Sequence, residues 1–102
     1  MGEHEKTGDA AYEAISAVEE WTGLKAEAQE TPHWAMTFVS EDGQAELMGL
    51  YSTTPLPVPG EGERITLHET VVVVAETRKH YYRDEETGRP QIFVWVRVRP
   101  PE

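Results

Sequence analysis

Residues 71–98, VVVVAETRKHYYRDEETGRPQIFVWVRV, read as one long β-hairpin. Both arms are rich in β-branched and aromatic residues, and the polar segment between them is punctuated by Gly88 and Pro90. The register follows from asking which pairing gathers the apolar side chains on one face, because a one-residue slip sends each of them to the other face. Pairing Tyr81 with Ile92, Lys79 with Val94, Thr77 with Val96 and Ala75 with Val98 places Val71, Val73, Ala75, Tyr81, Ile92, Val94, Val96 and Val98 together as core.

The same register sets Glu76 opposite Arg97, Arg78 opposite Trp95 and His80 opposite Phe93 on the reverse face. Cross-strand pairs of this kind contribute about 0.2–1 kcal/mol each, enough to favour a register. The reverse face carries Val72, Val74, Phe93 and Trp95 beside Arg78, His80, Arg97 and Arg99, too apolar for bare solvent and too charged for a dry core. Arg78, His80, Tyr82, Phe93, Trp95 and Arg97 are therefore the candidate binding residues. Aromatics and arginine are the residue types that dominate binding hot spots. What covers Trp95 decides whether this face is free, and the apolar stripe of an N-terminal helix is the internal candidate.

That helix starts from Asp9 as N-cap, with residues 1–8 as a flexible leader and residues 9–102 as a single domain. Ala11, Ala14, Ile15, Val18 and Trp21 fall on one stripe, and Gly23 is a natural stop. Residues 24–30 suit either a short edge strand or helical continuation. Residues 33–40 then alternate into Asp42-Gly43, the pair that favours a two-residue hairpin loop. This loop sets Phe38 opposite Leu47, Met36 opposite Gly49 and Trp34 opposite Tyr51. Prolines 55, 57 and 59 make the next segment an extended surface strap with Leu56 and Val58 tucked inward, and residues 64–68 form a short strand entering the long hairpin. The expected fold is α+β: a helix followed by a five-stranded antiparallel meander, either a strongly bent sheet or a small half-open SH3-like barrel.

Composition narrows the function. A chain of 102 residues with net charge −10 lacks the basic surface that phosphate-backbone binding requires. Its charge suits a basic protein partner, or an acidic inhibitor or immunity-type protein that caps a basic or nucleic-acid-binding surface through Glu13, Glu19, Glu20 and Glu27. The absence of cysteine excludes disulfides, thiolate zinc sites and a cysteine nucleophile. No apolar run reaches the roughly 18 residues of a membrane span, and the N-terminus is not a basic, apolar signal sequence, so a cytoplasmic location is expected.

His4, His33, His68 and His80 show no metal-ligand spacing, the carboxylate clusters fall on turns, and neither a nucleophile elbow nor a phosphate-binding glycine loop is present. No catalytic residue, metal or cofactor is therefore expected. A non-enzymatic protein-interaction module using the aromatic and arginine face is the leading expectation. The remaining alternative is a small-ligand binder or enzyme with a pocket at the barrel mouth, lined by His33, Trp34, Tyr51 and Tyr81. A monomer, or a weak dimer through the edge of the final strand and Trp95 at high salt, completes the expectations.

Overall fold

The structure, a computed structural model, describes residues 2–26 and 31–102, with helix side chains described over residues 9–21. It contains one helix and five strands: α1 (Gly2–Ala26), β1 (His33–Val39), β2 (Glu46–Ser52), β3 (Arg64–Leu67), β4 (Thr70–Arg83) and β5 (Pro90–Arg99). The helical residues begin at Gly2 rather than after Asp9 and run through Gly23, since alanine and glutamate favour continuation and a lone glycine costs only about 1 kcal/mol. Of the segment that sequence left open between strand and helix, residues 24–26 are helical, and the rest lies outside the described residues.

The strands form a nearly closed, barrel-like mixed sheet of order β2-β1-β5-β4-β3. Here the expected antiparallel meander is corrected, because β5 lies parallel to β1 and antiparallel to β4. Alternation specifies which residues point inward but not which strands are neighbours. The long proline strap lets the chain leave β2 and start β3 at the opposite edge, so β5 returns through the middle. Its central position follows from burial: Val94 and Val96 are 0% exposed and Val98 2%. The edges are consequently β2 and β3, and β5 does not offer the free edge that sequence assigned to it.

The hairpin register is the expected one from Glu76 to Arg83, including Arg78 opposite Trp95 and Tyr81 opposite Ile92. It shifts at a bulge between Val74 and Glu76, so that Val74 faces Val98 in place of Ala75. An extra residue on one strand reverses the facing of everything beyond it. Val74, expected on the reverse face, is therefore core at 1% exposure, while Val71, expected in the core, is 42% exposed. Tyr81, also expected in the core, is 69% exposed, because it stands near the hairpin tip on an open cleft bordered by α1.

A second bulge corrects the first hairpin. Ser40 N donates to Ala45 O at 2.9 Å, and Gly43 N to Ser40 O at 2.8 Å, with Gly43 at φ 76°. Asp42 Oδ1 accepts from Ser40 Oγ at 2.7 Å and from Gln44 N at 3.0 Å, folding a wider loop than the Asp-Gly pair alone suggests. Between Phe38 and Val39 the register then slips, giving Phe38 with Met48, Met36 with Leu50 and Thr37 with Gly49. Met48 and Leu50 thus pack on the core, and Tyr51 is left 76% exposed.

Met36, Phe38, Leu67, Val74, Val94, Val96 and Val98 make the core. The strap closes the seam between β2 and β3, as Leu56 and Val58 pack against this cluster and Thr77 Oγ1 donates to Pro59 O at 3.1 Å. By contrast, α1 touches the sheet mainly at β4. Tyr12, Ile15, Val18 and Trp21 remain 57–70% exposed.

Candidate functional site

The outer face of the β4–β5 hairpin brings the six candidate residues into two adjacent rows. Arg78, His80 and Tyr82 stand on β4, while Arg97, Trp95 and Phe93 stand on β5, with Arg78 beside Trp95 and His80 beside Phe93. On the far side of β5, the parallel pairing sets Ala35 next to Phe93 and Thr37 next to Trp95. Side chains as small as these do not wall in the two aromatics. The result is an open hollow of about 520 Å³ lined by Arg78, Lys79, His80, Phe93 and Trp95.

One carboxylate organises the cations at one end of this hollow. Glu76 Oε2 accepts from Arg78 Nε at 2.9 Å, and its Oε1 accepts from Arg97 Nη2 at 3.2 Å. Hydrogen bonding to Arg78, and then to Arg97, holds the Glu76 carboxyl below the usual carboxylate range. Thus tethered, the Arg78 guanidinium lies over the indole of Trp95, 5.1 Å from the ring centroid. His80 and Tyr82 meet edge to face at 6.3 Å.

Trp95 and Phe93 are both part-buried, and the cover on Trp95 comes from a different element than the sequence suggested. A side chain at Gly43 would begin 3.9 Å from Trp95 Cζ2, and Glu41 O accepts from Arg97 Nη1 at 3.3 Å. The β1–β2 loop therefore borders the indole. Helix α1 instead docks at the hairpin tip, where Ala14, Ile15, Val18 and Glu19 face Tyr81, Tyr82, Arg83 and Ile92 across a separate cleft. Arg83 joins the two elements by a two-pronged ion pair with Glu19, its Nη2 donating to Oε1 at 2.8 Å and its Nε to Oε2. That bond lowers the Glu19 carboxyl below its ordinary range.

Two contributors to the face were missed from sequence. The loop at residues 41–43 borders Trp95 in its wider Asp42 turn, and Lys79 lines the hollow although its strand partner is the buried Val94. The Asp-Gly pair and the polar run of residues 76–80 were the available signals.

The residues of the other two readings are dispersed. His33 and Tyr51 stack on each other at 6.0 Å on the outer face, whereas Trp34 and Tyr81 stand in one row with Ile92 on the inward side, so the four residues expected at the barrel mouth are split between two faces. A recess of about 580 Å³ at the opposite end, between Leu47, residues 70–72 and residues 98–101, is chiefly apolar, and Asp42 on its rim is already used by its own turn. Glu19 of the expected acidic patch is bound to Arg83, and Glu27 lies outside the described residues. Among the described residues, no three His, Cys, Asp or Glu side chains gather to hold a metal, and no helix is long and apolar enough to cross a membrane. Comparison with known protein families, with curated proteins and with solved structures returns no match, so the geometry of this face is what bears on function.

Proposed function

We propose that the protein is a non-enzymatic interaction module that binds another protein through the outer face of the β4–β5 hairpin. The carrying observation is the open hollow floored by Phe93 and Trp95, with Arg78 held over the indole by Glu76. Two aromatic rings half-withdrawn from water, bordered by an oriented guanidinium, supply the apolar centre and polar rim of a hot spot. Arg78 is already oriented by its carboxylate, which lowers the side-chain entropy lost on association.

A photo-cross-linking amino acid placed at Tyr82, with a control at the remote and exposed Tyr51, tests this reading in cells that express the protein. A discrete adduct at Tyr82 that disappears with Trp95→Ala is the expected result. Equal labelling from both positions, or an adduct indifferent to Trp95→Ala, would falsify it. Thermal unfolding of Trp95→Ala checks that the fold survives the substitution.

A further inference from the structure

Strand β4 is 14 residues long, but its pairing with β3 covers only Thr70 to Val73. One further exchange, Gly62 N to Val74 O at 2.8 Å and Val74 N to Glu63 O at 2.9 Å, carries the ladder to Val74. Beyond the bulge, the strap reaches β4 only through the Thr77 side chain. Among the described residues, no strand lies beside residues 75–83 on the side away from β5. Five consecutive residues, Arg78 to Tyr82, are exposed. Side chains alternate between the two faces of a strand, so an unbroken exposed run means that neither face of this part of β4 is covered, and the pairing leaves its edge open as well.

We infer that a partner's extended acidic segment adds to the sheet along this open edge of β4, at residues 77–82, and turns its side chains onto the hollow of Phe93 and Trp95. The inference rests on the interaction face proposed above and specifies how the partner enters it. Backbone groups on the free edge supply hydrogen bonds, and side-chain pockets beside it supply selectivity.

Charge selects the class of partner. Residues 77–83 contain Arg78, Lys79 and Arg83 and no carboxylate, in a chain of net charge −10. Arg78 and Arg83 are engaged by Glu76 and Glu19, but Lys79 and His80 make no ion pair among the described residues. An acidic segment is repelled by most of the molecule and attracted to this strip. Edge-to-edge pairing with a second copy would instead bring the Arg78 and Lys79 of the two copies together.

The test titrates an N-acetylated, C-amidated peptide of sequence EVEIEFE into the isotopically labelled full chain and follows backbone amide shifts and hydrogen exchange. Slowed exchange is expected at alternate amides of residues 77–82, with the β2 edge unchanged. Methylating alternate backbone nitrogens of the peptide removes several hydrogen bonds and weakens binding on the order of tenfold or more. Lys79→Glu and higher ionic strength weaken it a few-fold.

Equal binding by the methylated peptide, or by KVKIKFK, overturns the inference, as does the absence of any perturbation. Protection of the same amides that grows with protein concentration without peptide assigns the edge to a second copy and also overturns it. Shifts at Phe93 and Trp95 without protection of β4 remove the added strand while leaving the interaction face standing. Protection of β4 with Phe93 and Trp95 unmoved does the reverse.

Discussion

Glu76 is the side chain on which the candidate face most depends, because it fixes two arginines at once and through Arg78 sets the cover on one flank of Trp95. The pH dependence follows from the direction of its shift. A carboxyl whose folded pKa is depressed contributes stability that is fully present above the unfolded value, about 4.3, and is lost as pH falls through the depressed value. Glu19, lowered by Arg83, and Asp42, lowered by the Gln44 amide and then by Ser40, act with the same sign. Wild type is therefore expected to keep a flat thermal midpoint from neutral pH to about 5 and to lose stability progressively below about 4. Glu76→Gln lowers the midpoint at neutral pH and makes the acid decline shallower, since one of the three linked groups no longer titrates. Unfolding scans of both proteins at a series of pH values check this, and an unchanged slope would detach Glu76 from the acid response.

At the scale of elements, the hairpin β4–β5 was legible from sequence because alternation over a long stretch leaves one register that gathers the valines. Both departures arise where a single extra residue, Ala75 or Leu47, bulges out of a ladder. Bulges leave no trace in hydrophobic periodicity beyond a local ambiguity of face, and the run of four valines at residues 71–74 reads equally well in either phase. The parallel β1–β5 pairing was illegible for a different reason, since neighbours in a sheet are chosen by three-dimensional closure. The shared face of the six candidate residues was legible because they lie beyond the bulge, where the register is the expected one. The helix misled in one respect: its stripe of Ile15, Val18 and Trp21 predicts docking, yet these side chains stay mostly exposed. Val94→Ala, in the central strand at 0% exposure, is expected to cost about 2 kcal/mol from lost burial and the cavity left behind. Ile15→Ala, at 67% exposure, is expected to change stability by less than about 0.5 kcal/mol. Chemical denaturation of the two variants measures the contrast, and comparable losses would show that the helix belongs to the core.

The whole molecule is extended for its size. Its radius of gyration is 17.3 Å, against about 13 Å for a compact chain of this length, and its principal extents are 46 × 41 × 21 Å. A 25-residue helix is about 37 Å long, and one that meets the sheet chiefly at the tip of β4 accounts for the excess. Stability then rests on the sheet, and within the sheet on its least regular part, the seam between β2 and β3. No ladder joins those two strands; Leu56 and Val58 of the strap pack against the core there instead, and Val58 borders an open recess with Met48, Leu50 and Ile65. Val58→Asp places a carboxylate among these apolar groups, and the strap is expected to detach at a cost of about 1–3 kcal/mol. Detachment uncovers the backbone groups of both edge strands, which are templates for pairing with another copy. The net charge of −10 opposes such pairing at low ionic strength, and screening at high salt removes the opposition. The variant is thus expected to stay monomeric in low salt and to associate in high salt, while wild type and Trp95→Ala remain monomeric in both, because β5 is a central strand with no edge to share and the open run of β4 would set the Arg78 and Lys79 of two copies against each other. Sedimentation velocity at two ionic strengths decides the matter: salt-dependent association of wild type that Trp95→Ala abolishes would return the self-pairing surface to the final strand and refute the seam as the weak point.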